Sequence, residues 1–153
     1  MEPAPRPGAL GALIDELQRA LAEVEALLLP LDAAALDRPR AEAGEFRTVR
    51  EVVEHVLYSA HVYHNLQRQA FGLPEVDWSP PGPDAAELVA RLRALPAEAW
   101  DLLADKTDWT DEQVEALRIH AGWGTVYDLE QLLEHALVHV LRHRRQLEHW
   151  LDG

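Results

Sequence analysis

The chain contains no cysteine. This absence excludes disulfide frameworks, cysteine-based zinc sites, iron–sulfur clusters and a protein thiol nucleophile, and it is the usage expected in a reducing compartment. A metal site in this protein must therefore be built from histidine, aspartate or glutamate.

A long apolar run is also missing. No stretch approaches the roughly 18 residues that a membrane-spanning helix needs. Residues 1–8 have neither the basic region nor the apolar region of a secretion signal, and they are expected to form a disordered tail. We therefore expect a cytoplasmic protein that does not use the membrane as a partner.

Basic residues are scarce, with 14 Lys and Arg against 27 Asp and Glu and a formal net charge of −13. A chain with this balance repels nucleic acid and anionic membrane surfaces on average, so nucleic acid is not an expected partner. Arg142, Arg144 and Arg145 form a local exception beside His139 and His143. This cluster either binds an anionic ligand or complements the dipole near the end of a helix.

The size and the apolar pattern indicate one helical domain. A chain of 153 residues with 48% apolar content can bury its own core, so residues 1–153 are expected to form a single domain. No alternating β-branched run bounded by turn residues predicts a strand, and no repeat of 20 to 50 residues is present. Four long amphipathic segments predict an all-α four-helix bundle.

Apolar periodicity and capping residues predict where the helices lie. The four segments are 9–29, 48–71, one from 84 onward, and 125–151. Capping boxes are predicted at the last three starts, from Thr48 with Glu51, Asp84 with Glu87, and Thr125 with Asp128.

The connections between these segments are predicted from turn residues. Residues 31–46 are predicted to form a loop with at most a short helical turn, and residues 72–83 a surface connection rich in proline. A short helix is possible after Thr110. Pro96 either kinks the third helix or begins a new one.

The most informative segment holds His135, His139 and His143, each four residues after the previous one. Side chains at this spacing lie above one another on one helical face, so two imidazoles can reach the same metal ion. On a helical projection His143 lies on the apolar face, His139 at its border, and His135 furthest from the core. The favoured chelating pair is therefore His139 with His143.

A third ligand is expected from the second long helix, which contains His55, His61 and His64. On the same kind of projection His64 falls inside the apolar arc, whereas His55 lies at its border. Periodicity alone would choose His64, but it does not set the relative depth of two helices.

Two segments resemble the DinB/YfiT-like family of metal-binding four-helix bundles. The first is the capped helix start Thr48-Val-Arg-Glu-Val-Val-Glu-His55. The second runs from Gly124 to Gln146 and is similar to the fourth helix of the family, which ends in a His-x3-His-Arg-Gly-Gln pattern. The resemblance implies that His55, His139 and His143 bind a divalent metal. The chain departs from the pattern at Arg145, which replaces a glycine and puts the pocket shape in question.

By this resemblance the first functional hypothesis is a metal-dependent enzyme acting on a small molecule, specifically a thiol S-transferase that uses a low-molecular-weight thiol; a hydrolase is a related reading. Zinc or nickel is the expected metal, with iron and manganese as further candidates. The alternative is a non-catalytic, stress-associated bundle that binds metal or forms a homodimer.

Other residues near the predicted ligands could support them. Ligating histidines usually donate their second ring N–H to an oxygen, and Glu51, Glu54 and Glu134 are near in sequence. Tyr58, Tyr63 and Trp123 either line a pocket or serve as ordinary core and interface aromatics.

Overall fold

The computed structural model describes residues 3–40 and 44–152. Helices account for most of the described chain, as predicted. They are α1 (Gly8–Leu28), α2 (Ala33–Leu36), α3 (Val49–Ala70), α4 (Ala85–Asp101), α5 (Asp111–Ala116) and α6 (Leu129–Leu151), with one turn of 3-10 helix at Ala104–Lys106 and two short strands, β1 (Ile119–His120) and β2 (Val126–Tyr127).

The four long helices α1, α3, α4 and α6 form the predicted bundle, but their order around it is not the order along the chain. Both α1 and α3 pack mainly against α4 and α6, so α1 lies diagonally opposite α3 and α4 diagonally opposite α6. The connections from α1 to α3 and from α4 to α6 therefore join helices that lie diagonally opposite each other. A simple up-and-down bundle with short loops would place consecutive helices side by side.

The predicted apolar stripes face the interior of the bundle. On α6 the most deeply buried side chains are Leu129, Leu132 and Leu147, all members of the stripe that periodicity identified. Burial of such stripes provides the main stabilising free energy of a bundle, at about 25 cal/mol for each Å² of apolar surface removed from water. The periodic pattern was therefore sufficient to identify the core of each helix.

The start of α6 corrects one prediction. The N-cap is Asp128, whose carboxylate accepts the Gln131 backbone N–H at 2.8 Å while the Gln131 side chain accepts the Asp128 N–H at 3.0 Å. Thr125 is not the cap, because its carbonyl accepts the Ala121 N–H in the preceding turn, where Gly124 has a φ of +92°. A positive φ of this kind favours glycine and turns the chain back on itself.

That turn belongs to a β-hairpin, which the absence of an alternating pattern did not predict. Strands β1 and β2 pair antiparallel, with Ile119 opposite Tyr127 and His120 opposite Val126. Each strand has only two residues, too few to show a period of two. The prediction that the chain has no strand is therefore wrong at this point.

Thr48 and Asp84 are the N-caps of α3 and α4, as predicted. The glutamate three residues after each cap accepts a different backbone N–H from the one predicted. The Thr48 hydroxyl accepts the Glu51 N–H as expected, whereas the Glu51 carboxylate accepts the Arg47 N–H rather than that of Thr48. Likewise Glu87 accepts the Gly82 N–H. In both cases the glutamate ties the preceding loop to the helix.

The remaining expectations concern connections and the chain ends. Pro96 is buried inside one continuous helix, and residues 31–40 and 44–46 contain only the single turn of α2, as predicted. Where a disordered tail was predicted, residues 1–2 lie outside the described residues, and Arg6 donates to Asp15 and Gln18 on α1. None of the helices within the described ranges has the combined length and apolar character needed to cross a bilayer.

Candidate metal centre

Three histidines from two helices converge between α3 and α6. His55 lies in the second turn of α3, and His139 and His143 lie one turn apart on α6. The two helices run antiparallel here, because His55 meets His139 and His143 while Tyr63, two turns further along α3, meets His135 and His139. The antiparallel packing places the predicted α6 pair level with His55.

The ring nitrogens are close enough to share one ion. His55 Nε2 and His139 Nε2 are 3.0 Å apart, and one ligand atom from each of the three residues lies within 4.8 Å of the others. Two imidazoles bound to one ion at about 2.1 Å place their nitrogens about 3.0 to 3.4 Å apart. The geometry of this donor set therefore fits a divalent metal.

The protonation of the rings suits the same purpose. Burial, together with the nearby His143 and His55, lowers the pKa of His139 to about 3. Burial and His143 also lower the pKa of His55. Neutral imidazoles retain a nitrogen lone pair, which is the form that binds a metal.

Gln146 is the supporting residue that the sequence did not identify. The Nδ1–H of His143 donates to Gln146 Oε1 at 2.9 Å, which leaves Nε2 as the nitrogen with a free lone pair. Its spacing from His143, three residues along the same helix, was the available signal. The suggested Glu51 instead accepts from the Arg47 backbone, and Glu134 is exposed.

Phe46 and Ser59 also border the cluster. The ring centroid of Phe46 lies 4.6 Å from that of His55 and 5.9 Å from that of His143. The Ser59 hydroxyl oxygen lies 3.4 Å from His55 Nε2. Ser59 could have been found from its i+4 spacing to His55, whereas Phe46 is an isolated aromatic in a loop with no periodic signal.

His64, the choice that periodicity favoured, is buried but lies elsewhere. With Tyr63, Gln67 and His139 it lines a narrow interior cavity of about 30 Å³. Burial, with smaller contributions from Arg68 and His61, lowers the pKa of His64 to about 4. His64 therefore faces inward, as the projection predicted, but it is not one of the three histidines whose ligand atoms lie within 4.8 Å of one another.

The other predicted aromatic and basic residues divide between the cluster and the surface. Tyr63 and Trp123 lie beside His135, whereas Tyr58 packs against Trp78. Arg145 is mostly exposed and pairs with Glu148 at the surface, so its long side chain extends into solvent rather than toward the histidines.

Fold and site together define a helical bundle with a three-histidine candidate metal centre. The model of the DinB superfamily matches residues 8–147, and the chain belongs to this superfamily, as its resemblance implied. A solved structure from Bacillus subtilis has the same fold, with a TM-score of 0.65 and 18% sequence identity over 97% of this chain and 92% of that one. The description of that structure reads: "YfiT from Bacillus subtilis is a probable metal-dependent hydrolase with an unusual four-helix bundle topology". No curated protein matches the chain.

Proposed function

We propose that this protein is a metal-dependent enzyme whose divalent ion is held by His55, His139 and His143. The observation that carries the proposal is the convergence of the three rings, with His55 Nε2 and His139 Nε2 separated by 3.0 Å. The membership of the DinB superfamily and the description of YfiT as a probable metal-dependent hydrolase support it.

The number of donors favours a catalytic over a structural role. Within residues 3–40 and 44–152, no carboxylate joins the three histidines as a fourth ligand. Structural zinc sites are normally closed by four protein ligands, whereas three leave a coordination position for water or substrate. A divalent ion in such a site supplies one kind of chemistry, the lowering of the pKa of a water or a thiol so that a nucleophile forms near neutral pH.

The surrounding residues would orient the ligands and limit solvent. Gln146 holds the tautomer of His143, and Phe46 covers one side of the His55 ring. The Ser59 hydroxyl oxygen lies 3.4 Å from His55 Nε2, at the edge of the site. Contacts of this kind orient the imidazole rings, and oriented ligands are a condition for efficient metal-assisted catalysis.

The reaction we propose is S-transfer from a low-molecular-weight thiol to a small electrophile. The thiol gives its proton to solvent water, its sulfur forms a bond to the electrophilic carbon, and the leaving group departs with the electron pair of the bond that breaks. Hydrolysis by water, the reaction class named for YfiT, is the second candidate. In both cases the histidines have the same role, and the nucleophile differs.

The first experiment measures metal content in protein prepared without an affinity tag. We expect about one zinc or nickel ion per chain, with iron and manganese assayed in parallel, and loss of that ion in His139→Ala. His149→Ala is the matched control, since His149 is an exposed histidine on the same helix. Metal-free protein that remains folded and takes up no divalent ion would refute the proposal.

The second experiment tests catalysis. Metal-loaded protein is supplied with small thiols and electrophiles, and consumption of the electrophile is followed with and without thiol. Turnover that requires both thiol and metal supports S-transfer, and thiol-independent turnover supports hydrolysis. Metal binding without turnover supports the non-catalytic, stress-associated alternative. The expected homodimer and cytoplasmic location stay predictions, and light scattering of the purified protein measures the first.

A further inference from the structure

Four aromatic rings extend from the histidine cluster toward the hairpin. Tyr63 lies edge-on to His139 at a centroid distance of 5.9 Å and to His135 at 5.5 Å. His135 in turn stacks on Trp123 at 5.9 Å and contacts Tyr127 at 5.3 Å. We call Tyr63, Trp123, Tyr127 and His135 the aromatic wall.

The wall is open to solvent at the end furthest from the cluster. Trp123 is 49% exposed although its ring is stacked on His135, and it follows Gly122 in the hairpin turn. The Trp123 indole N–H donates to the Tyr127 hydroxyl at 3.0 Å, which fixes the orientation of its ring. A large aromatic ring held in a defined orientation and half exposed offers a stacking surface for a planar ligand.

Arg142 adds a positive charge to the same region. It lies one turn after His139 on α6, is exposed, and makes no hydrogen bond or ion pair with any residue in the described ranges. Its neighbours differ, since Arg144 and Arg145 both pair with Glu148.

The charge of Arg142 acts toward the wall. Arg142 lies seven residues, about two helical turns, after His135 on α6, so the two side chains stand on the same face of the helix. Burial raises the pKa of Tyr63 and lowers those of His135 and His139, and the positive charge of Arg142 lowers all three. In a chain with a net charge of −13, an arginine without an acidic partner is a local site of attraction for anions. A guanidinium recognises a carboxylate with two parallel N–H donors.

We propose that the aromatic wall and Arg142 form the substrate subsite beside the metal centre, and that the substrate is a small aromatic carboxylate. Its ring would stack on Trp123, and its carboxylate would accept hydrogen bonds from Arg142. The identification of this region as a substrate subsite rests on the proposed function, whereas binding of the ligand to these residues does not require the metal.

The test uses benzoate as probe and benzamide, which has the same shape without the charge, as its control. Binding to the full chain is followed through the NMR signal of the Trp123 indole N–H, with and without zinc. We expect benzoate to shift this signal in both forms. Arg142→Gln should weaken benzoate binding about tenfold and leave benzamide unchanged, because the variant loses only the charge-assisted contact. Arg145→Gln is the matched control and should bind both probes as the parent protein does.

Separate readouts distinguish failure of this inference from failure of the proposed function. Metal stoichiometry is measured in each variant and should be unchanged in Arg142→Gln. Binding of benzoate by a protein that takes up no metal would refute the proposed metal-dependent function and would still support the proposed anion site. Equal benzoate affinity in Arg142→Gln and the parent, or no shift of the Trp123 signal at millimolar benzoate, would overturn the inference. Benzoate binding that requires zinc and ignores Arg142 would likewise overturn it, because the metal alone would then be the anion site.

Discussion

His143 and Gln146 are joined by a hydrogen bond of 2.9 Å in which the imidazole Nδ1–H donates to the amide oxygen. The bond selects the tautomer of His143 whose Nε2 is free of hydrogen, and it does so within a single helix. The metal-binding capacity of His143 therefore depends on a residue outside the cluster itself.

Replacing Gln146 by Leu should weaken zinc binding about 10- to 100-fold, the range measured when second partners of ligating histidines are removed. Gln146→Glu keeps an acceptor oxygen and should retain most of the affinity. Competition with a chelator of known affinity measures both, and the exposed residue Gln69 supplies a control as Gln69→Leu. Parent-like affinity in Gln146→Leu would show that the tautomer needs no such partner.

The cap of α6 can be tested with a pair of variants. Asp128→Ala removes the side chain that accepts the Gln131 N–H and should lower the free energy of unfolding by about 1 kcal/mol. Thr125→Ala should change it by less than about 0.5 kcal/mol, because the contact that Thr125 makes to Ala121 uses its backbone carbonyl. Urea denaturation measures the two values. A larger loss of stability in Thr125→Ala than in Asp128→Ala would show that Thr125 is the N-cap of α6.

Burial of His64 should make the protein less stable in mild acid. Its pKa is about 4 in the folded chain and 6.5 in the unfolded chain, so between these values the unfolded state binds the additional proton. The free energy of unfolding is therefore unaffected by this titration above pH 6.5. It falls as the pH drops from 6.5 toward 4, by about 3 kcal/mol in all.

His64→Gln removes this titration while keeping a polar side chain of similar size. The difference in unfolding free energy between the variant and the parent should therefore shift in favour of the variant by 1 kcal/mol or more between pH 7.5 and pH 5. Urea denaturation of metal-free protein at both pH values provides the comparison, and the histidine cluster cancels because it is present in both proteins. A pH-independent difference would contradict the assigned pKa.

The side-chain amide oxygen of Gln67 is buried without a hydrogen-bond partner among the described protein atoms. Its amide N–H donates to the Tyr63 carbonyl at 3.3 Å, and the residue is 1% exposed beside the interior cavity. Gln67→Met has a similar shape without the unpaired oxygen and should raise the free energy of unfolding by about 1 kcal/mol. A loss of stability instead would indicate that a water in the cavity bonds to the oxygen.

Sequence periodicity identified the helices well because each stripe depends only on the geometry of its own helix. The buried residues Leu129, Leu132 and Leu147 on α6 were predicted for this reason. The hairpin was missed because two-residue strands show no period, and the start of α6 was misplaced because the turn at Gly124 uses the Thr125 carbonyl.

Helical periodicity could not identify the third histidine of the cluster. His64 and His55 both lie on α3, and a projection ranks them by how apolar their surroundings are in sequence. His64 lines the interior cavity that His139 borders, whereas the His55 ring lies against both His139 and His143. In the sequence only the family resemblance favours His55, and the structure places His55 Nε2 3.0 Å from His139 Nε2.

The sequence by itself determined that any metal must be bound without thiolates, that the chain forms four long amphipathic helices, and that His139 and His143 stand one turn apart. These properties follow from composition and from the repeat of a single helix. The tertiary structure alone decided the diagonal order of the helices, the level at which α3 meets α6, and the stacking of Trp123 on His135. These depend on how all four helices pack together, which no single helical period contains.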